Sequence, residues 1–235
     1  MIQTKFDNGI LTATLDRPEQ ANSFTVDMFR QMRNGLQRAS RTPEVRVIVI
    51  DAIGEDFSLG EDLPNIAQSD LDQRHPALTF MREFAFYPKP IIANVHGHAF
   101  GLGMALLLHC DLVVADPNSR FRLPFIQHEL IPTFATTLLL PQRIGPQRSA
   151  ALMLLGEEFT AEQAFQWGLI NQVANAQQRT QQIETWCARL CQIPEKILRQ
   201  TKQLLKHSMN TSEEVMCNEW HLFSEYMSTP EAQEH

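Results

Sequence analysis

Long apolar runs are missing from this 235-residue chain, and so is any paired pattern of cysteines. Apolar stretches such as Ala105 to Leu108 and Leu138 to Leu140 fall far short of the ~20 residues that cross a bilayer, which argues against a membrane partner. Basic charge is scarce as well: 20 Lys and Arg against 27 Asp and Glu leave a net charge of −7 and a pI near 5.6. Nucleic acid and acidic membranes both select a basic patch, so neither is expected as a partner. No basic-then-apolar signal opens the chain, and a cytoplasmic location is expected. Of the 4 cysteines, Cys187 and Cys191 share an apolar stripe with Ile183, Trp186 and Leu190 at helical spacing, which predicts buried thiols. Cys217 has no partner at motif spacing. His96 and His98, two apart, would share one face of a strand, but further ligands are lacking and no metal is expected.

What the chain holds is the composition of an ordinary globular protein, 43% hydrophobic and 20% charged, long enough to bury a substantial core. Ile2, Thr4 and Phe6, then Asn8-Gly9, then Leu11, Ala13 and Leu15 predict a hairpin closed by a type I′ turn. Val26, Phe29, Met32 and Leu36 predict a helix capped by Thr25 with Asp27 in its first turn. Ala77, Phe80, Met81 and Phe84 make another apolar helix face, and Thr160-Ala161-Glu162-Gln163 is a capping box for a helix ended by Gly168. Repeated strand, turn and helix units predict an α/β core. Beyond Val173 the pattern is wholly helical: Asn175 to Thr180 reads as a polar joint, Pro194 opens a second helix, and Met216, Trp220, Phe223 and Met227 stripe a third.

Lys89 to Asp111 carries the strongest functional signal. Pro90 to Val95 is an apolar run of strand length, His96 to Gly103 a turn, and Met104 to His109 an apolar helical run. Glycines at 101 and 103 leave the backbone bare, and the first amides of a helix are unpaired and partly positive. Such a turn suits an anion, or a carbonyl oxygen becoming one. A simple packing turn explains the same residues. A dinucleotide fingerprint does not, because Gly101-Leu102-Gly103 lacks its third glycine, and no Gly-Lys-Ser/Thr follows to make a phosphate loop. A second glycine turn stands earlier, where the apolar strand Val47 to Ile50 leads to Phe57-Ser58-Leu59-Gly60-Glu61-Asp62-Leu63. Two such turns can supply two amides.

These segments resemble the crotonase (enoyl-CoA hydratase/isomerase) superfamily. Phe57 to Leu63 is similar to its pattern of Phe, two small residues, Gly, any residue, Asp and an aliphatic. Lys89 to Asp111 resembles its Lys-Pro…Gly-x-Ala-x-Gly-x-Gly…Cys-Asp segment, with Cys110 at the Cys-Asp strand start, and Trp167-Gly168-Leu169-Ile170-Asn171 resembles its closing Trp-Gly-Leu-Val-Asn. Asp16-Arg17-Pro18-Glu19…Asn22 is similar to its early Arg-Pro-Glu…Asn loop. The resemblance implies a spiral of β–β–α turns: an acyl-CoA-binding core over 1–173, and a helical region over 174–235 that assembles homotrimers, often paired into hexamers. Members commonly continue past Thr229 to His235 with another helix that helps close the site, so a more open site is expected here. The substrate implied is a CoA thioester, with no separate cofactor. Its oxygen would lie between the backbone N–H groups of Glu61 and Leu102, beside Gly60, Gly101 and Gly103. The CoA part would run along Arg17 to Ala21 and along Leu59, Asp62, Leu63 and Pro64, where Pro64 replaces a lysine that often meets phosphate.

The resemblance also implies a loss. The family's two catalytic glutamates fall on Ala105 and Phe125, and a third carboxylate site, after Ile-Pro, falls on Thr133. Alanine and phenylalanine cannot hold or activate water, so glutamate-pair hydration is not expected. Glu129, where the family usually has glycine, is the first candidate base on a loop expected to line the acyl pocket; a solvated loop glutamate or an ion pair at a trimer interface explains the same residue. The Glu61 side chain is expected to point outward into solvent, because a carboxylate close to a forming enolate is repulsive. His98 is expected as a buried, hydrogen-bonded imidazole. Met81, Phe84, Phe86, Phe125, Ile126 and Phe134 are candidates for the acyl pocket or the core. Three classes of function stay open: an enolate-stabilising isomerase or decarboxylase, an acyl-CoA binder without turnover, and a structural assembly partner.

Overall fold

The computed structural model describes residues 1–206 and 211–228. Strands β1 (Ile2–Asp7) and β2 (Ile10–Leu15) form the expected hairpin, with positive φ at Asn8 (47°) and Gly9 (84°), as a type I′ turn requires. Helix α1 (Val26–Arg41) starts under its Thr25 cap, whose hydroxyl accepts from the Met28 N–H. Strand β3 (Val47–Ala52), helices α2 (Leu63–Ile66) and α3 (Pro76–Ala85), and strand β4 (Ile91–Val95) follow. The first departure from expectation comes at 96–103, which is not turn throughout. His98–Phe100 forms β5, and α4 (Leu102–Leu107) begins two residues before Met104.

Strands β6 (Leu112–Ala115) and β9 (Gln172–Val173) complete a sheet of order β1-β2-β3-β4-β6-β9, parallel from β2 onward. Its two faces alternate along each strand. Ile48, Ile50, Ile91 and Ala93 join the main core with α1 and α3, while Val47, Val49 and Ile92 pack with Cys187 of α8 (Ala176–Gln192). A smaller sheet runs β5-β7-β8, with β7 at Arg120–Arg122 and β8 at Glu158–Thr160. Bridges Ser58↔Ala99 and Phe24↔Glu61 extend this sheet through the first glycine turn.

Helices α5 (Thr136–Ile144), α6 (Pro146–Leu154) and α7 (Ala161–Gln166) follow, and the Thr160–Gln163 capping box forms. Past Val173 come α8, α9 (Glu195–Lys206) and α10 (Ser212–Met227). The expected polar joint at 175–180 is instead the first turn and a half of α8: Asn175 caps it in a box with Gln178, and its residues face water except Arg179, which is buried and donates to Asn94 and to Val95 O. Lys89 is buried, and its ammonium donates to the carbonyls of Ala39, Thr42 and Val45 at 2.8, 2.7 and 2.7 Å. It thereby satisfies acceptors that the end of α1 leaves open. No helix among the described residues is long and apolar enough to cross a membrane. Residues 229–235 lie outside the described residues.

Candidate active site

Two chain reversals meet at the edge of the smaller sheet. The segment 57–58 runs along 96–100 through Phe57 N to His96 O, Ser58 N to His98 O and Phe100 N to Ser58 O, at 2.9, 3.0 and 2.9 Å. On its other side, Phe24 N donates to Gly60 O at 2.7 Å and Asp62 N to Phe24 O at 2.9 Å. Gly60 and Glu61 are thus pressed against Gly101 and Leu102. Glycine is required twice for this approach. A Cβ on Gly103 would stand 2.5 Å from Ser58 O, and one on Gly60, where φ is +105°, would stand 3.2 Å from the Leu102 nitrogen. Side chains at either position would part the turns or cover the amide.

The Leu102 N–H opens α4 and has no backbone acceptor in the preceding turn; its partner is the Glu61 carboxyl, at 3.3 Å from Oε2. The expectation of an outward Glu61 is therefore wrong. The residue is half-buried, its carboxyl end is the enclosed part, and Oε1 accepts from the Thr133 hydroxyl at 3.3 Å. Burial pushes its pKa from 4.5 to about 7, against its own N–H, the Leu102 N–H and the Thr133 hydroxyl, which all favour the charged form. The Leu102 N–H and the Thr133 hydroxyl together hold the carboxyl inward.

Thr133 is held in place by strained neighbours. Phe134 and Ala135 both adopt left-handed φ, 64° and 56°, which costs non-glycine residues energy. Glu219 of α10 offsets that cost: its buried carboxyl accepts from Ala135 N at 2.6 Å, Thr137 N at 3.0 Å and Thr137 Oγ1 at 2.6 Å. Burial raises its pKa to about 7 as well. From the opposite side His109 stacks on Phe134 at 4.0 Å and its Nε2 lies 2.7 Å from Phe134 O. A carbonyl only accepts, so Nε2 carries the proton, and burial keeps the imidazole neutral by lowering its pKa to about 3. Neither Glu219 nor His109 was singled out in the sequence. The available signal for Glu219 is an acid set within the apolar stripe of Met216, Trp220 and Phe223.

The remaining candidates divide. Ala105 and Phe125, the lost carboxylate positions, are both buried. Glu129 is exposed, at left-handed φ of 56° after a 3-10 turn over Phe125–His128. His98 is exposed rather than buried, with Nδ1 2.6 Å from Asp56 Oδ1. Met81, Phe84, Phe125 and Phe134 are core residues, while Phe86 and Ile126 are exposed. The two strips assigned to CoA do lie together, with Leu59 N donating to Ala21 O at 3.0 Å and Arg17 paired to Asp62 at 2.8 Å. That pairing, and a bond to Ser23 O, engage the Arg17 guanidinium. Leu63 and the exposed Pro64 open α2, whose cap is Asp62. A cavity of about 370 Å³ between Phe86–Pro88 and α9 stands apart from the two amides, and the Lys202 and Lys206 ammoniums lining it are bonded to carbonyls of Lys89, Ala85 and His109.

The sequence profile of the enoyl-CoA hydratase/isomerase family matches residues 5–235. The chain belongs to this family. Among its relatives, the 1,2-epoxyphenylacetyl-CoA isomerase of Escherichia coli is 35% identical over 74% of this chain and 70% of its own. The E. coli 2,3-dehydroadipyl-CoA hydratase is 37% identical over 70% of this chain and 65% of its own. Among solved structures, Pseudomonas aeruginosa OdaA superposes with a TM-score of 0.92 at 33% identity, over 99% of this chain and 96% of that one. An enoyl-CoA hydratase/isomerase from Pseudoalteromonas atlantica superposes with a TM-score of 0.91 at 28% identity, over 99% and 94%. The enoyl-CoA hydratase/isomerase family fold is thus shared along nearly the whole chain.

Proposed function

We propose that this chain binds an acyl-CoA thioester and stabilises its enolate between the N–H groups of Glu61 and Leu102, for double-bond isomerisation or decarboxylation and not for glutamate-pair hydration. One observation carries the proposal: the Leu102 N–H that opens α4 donates to an oxygen of a side-chain carboxyl, that of Glu61, as an oxyanion donor would to a thioester oxygen. Related proteins named as an isomerase and a hydratase of CoA thioesters support the substrate class. Apolar Ala105 and Phe125 speak against hydration, since neither can hold a water. They also favour a second reading, an acyl-CoA binder without turnover. Exposed Ile197, Leu204 and Leu205 on α9 support assembly of several copies, as a trimer or hexamer.

Titration with crotonyl-CoA and with a 3-enoyl-CoA separates these readings, following thermal shift for binding and ultraviolet absorbance of the conjugated thioester for turnover. Binding with conversion of the 3-enoyl-CoA is the expected result. Binding alone supports the silent binder, and the absence of both refutes the thioester site.

A further inference from the structure

We propose that the Glu61 side chain is the proton-transfer group of this pocket, a catalytic residue in addition to its backbone role. The proposal rests on the enolate chemistry above. All three positions where a relative would place a carboxylate are non-acidic here, and Glu129 is exposed. Glu61 brings a carboxyl onto the hydroxyl of Thr133, itself one of those three positions.

The carboxyl and a thioester oxygen need the same amide. Entry of substrate therefore moves Oε2 off Leu102, which the rotatable Glu61 side chain permits without moving the Glu61 N–H. Thr133 remains as a hydrogen-bond partner for Oε1 and keeps the group beside the acyl chain. For a 3-enoyl thioester the step balances with no co-reactant. A C2 proton passes to the carboxylate, its bonding pair flows into the C1–C2 bond, and the carbonyl pair moves onto the oxygen held by the two amides. The resulting carboxylic acid then gives the proton to C4, and the double bond settles between C2 and C3. Charge is handed over and never doubled, since Glu61 becomes neutral as the enolate becomes negative, and the repulsion that argued for an outward side chain does not arise.

The titration is suited to the task. With a pKa of about 7, acid and base forms are both present at neutral pH. What faces the carboxyl does not titrate: its own N–H, the Leu102 N–H from α4 and the Thr133 hydroxyl from the loop before α5. The neighbouring Asp62 is paired with Arg17 at 2.8 Å, and Glu219, behind the loop, is bonded to Ala135 and Thr137.

Glu61→Gln tests the proposal because it keeps the backbone amide. Isomerisation of a 3-enoyl-CoA and exchange of C2 protons of a saturated acyl-CoA in heavy water are measured on both sides of neutral pH, with crotonyl-CoA binding as the control for fold. In the wild type both rates are expected to rise with pH and level off above about 7, the base form being the active one. Glu61→Gln is expected to bind crotonyl-CoA at least as tightly, to lose about 10² to 10⁴ in both rates, and to lose that pH limb. Thr133→Val, which removes a hydrogen bond favouring the charged form, is expected to move the limb to higher pH even if Glu61→Gln does not fold. Equal rates or an unchanged limb in Glu61→Gln, or an unmoved limb in Thr133→Val, overturn Glu61 and leave the two-amide site standing. Binding by the wild type without exchange also overturns it. A wild type that neither binds nor exchanges overturns the thioester assignment and this proposal together.

Discussion

Leu102 offers a separation of chemistry from stability. Its N–H has no backbone acceptor in the preceding turn and donates to the Glu61 carboxyl, and it is the first residue of α4, where proline is tolerated. Leu102→Pro therefore removes one oxyanion donor and no helical hydrogen bond. The side chain is fully buried, and proline is shorter by roughly one carbon, which costs about 1 to 2 kcal/mol. That corresponds to a melting shift of about 2–4 °C per kcal/mol for a chain of this size. Loss of the donor is expected to slow isomerisation of a 3-enoyl-CoA by about 10² to 10³. Leu102→Ala inverts the pattern: it keeps the N–H but leaves a cavity, costing about 2–5 kcal/mol with turnover largely retained below the melting point. Urea unfolding and initial rates measured on the same samples decide the matter. If turnover in the two variants follows their stability and not the presence of the N–H, Leu102 donates nothing to the reaction.

Two further outcomes concern the frame around the pocket. Glu219→Ala leaves the Ala135 and Thr137 N–H groups without their acceptor beside two left-handed residues, and a loss of about 2–4 kcal/mol is expected in urea unfolding; a neutral result would mean that the turn at 134–135 holds itself. Wild-type stability is expected to fall as pH rises, because Glu61 and Glu219 have folded pKa values raised from 4.5 to about 7. Their protonated forms contribute fully below about 4.5 and the contribution is lost through about 7, so the urea midpoint should drop between these limits, and a rising midpoint contradicts both burials.

Features written in adjacent residues were legible. Asn8-Gly9, the Thr25 cap and the Thr160–Gln163 box each contain their own chemistry within four positions, and the chain adopts them as expected. The glycines at 60 and 103 were legible for a related reason: only glycine allows two backbones so close. Strand β5 was hidden because three residues, His98 to Phe100, carry no period, and it exists through pairing with Arg120–Arg122. The direction of Glu61 was hidden more deeply. Whether its carboxyl points inward depends on Leu102 and Thr133, 41 and 72 positions away, which no local pattern encodes. Between the two readings of Glu129, a base or a solvated loop residue, the sequence could not decide because a place in the loop does not fix a side chain's direction; its left-handed backbone leaves it exposed in the single chain.

The bond from Glu219 to the turn at 134–135 spans 84 residues, and this sets an order of assembly. During synthesis the two glycine turns and the strands behind them leave the ribosome well before α10 exists. Until Thr211 to Ser228 emerges, Phe134 and Ala135 have no carboxyl to offset their backbone cost, and Thr133 has no fixed place from which to meet Glu61. The wall behind Thr133 is thus completed by a segment made well after the two glycine turns, and a nascent chain carries its oxyanion amides before it carries the carboxyl that braces that wall.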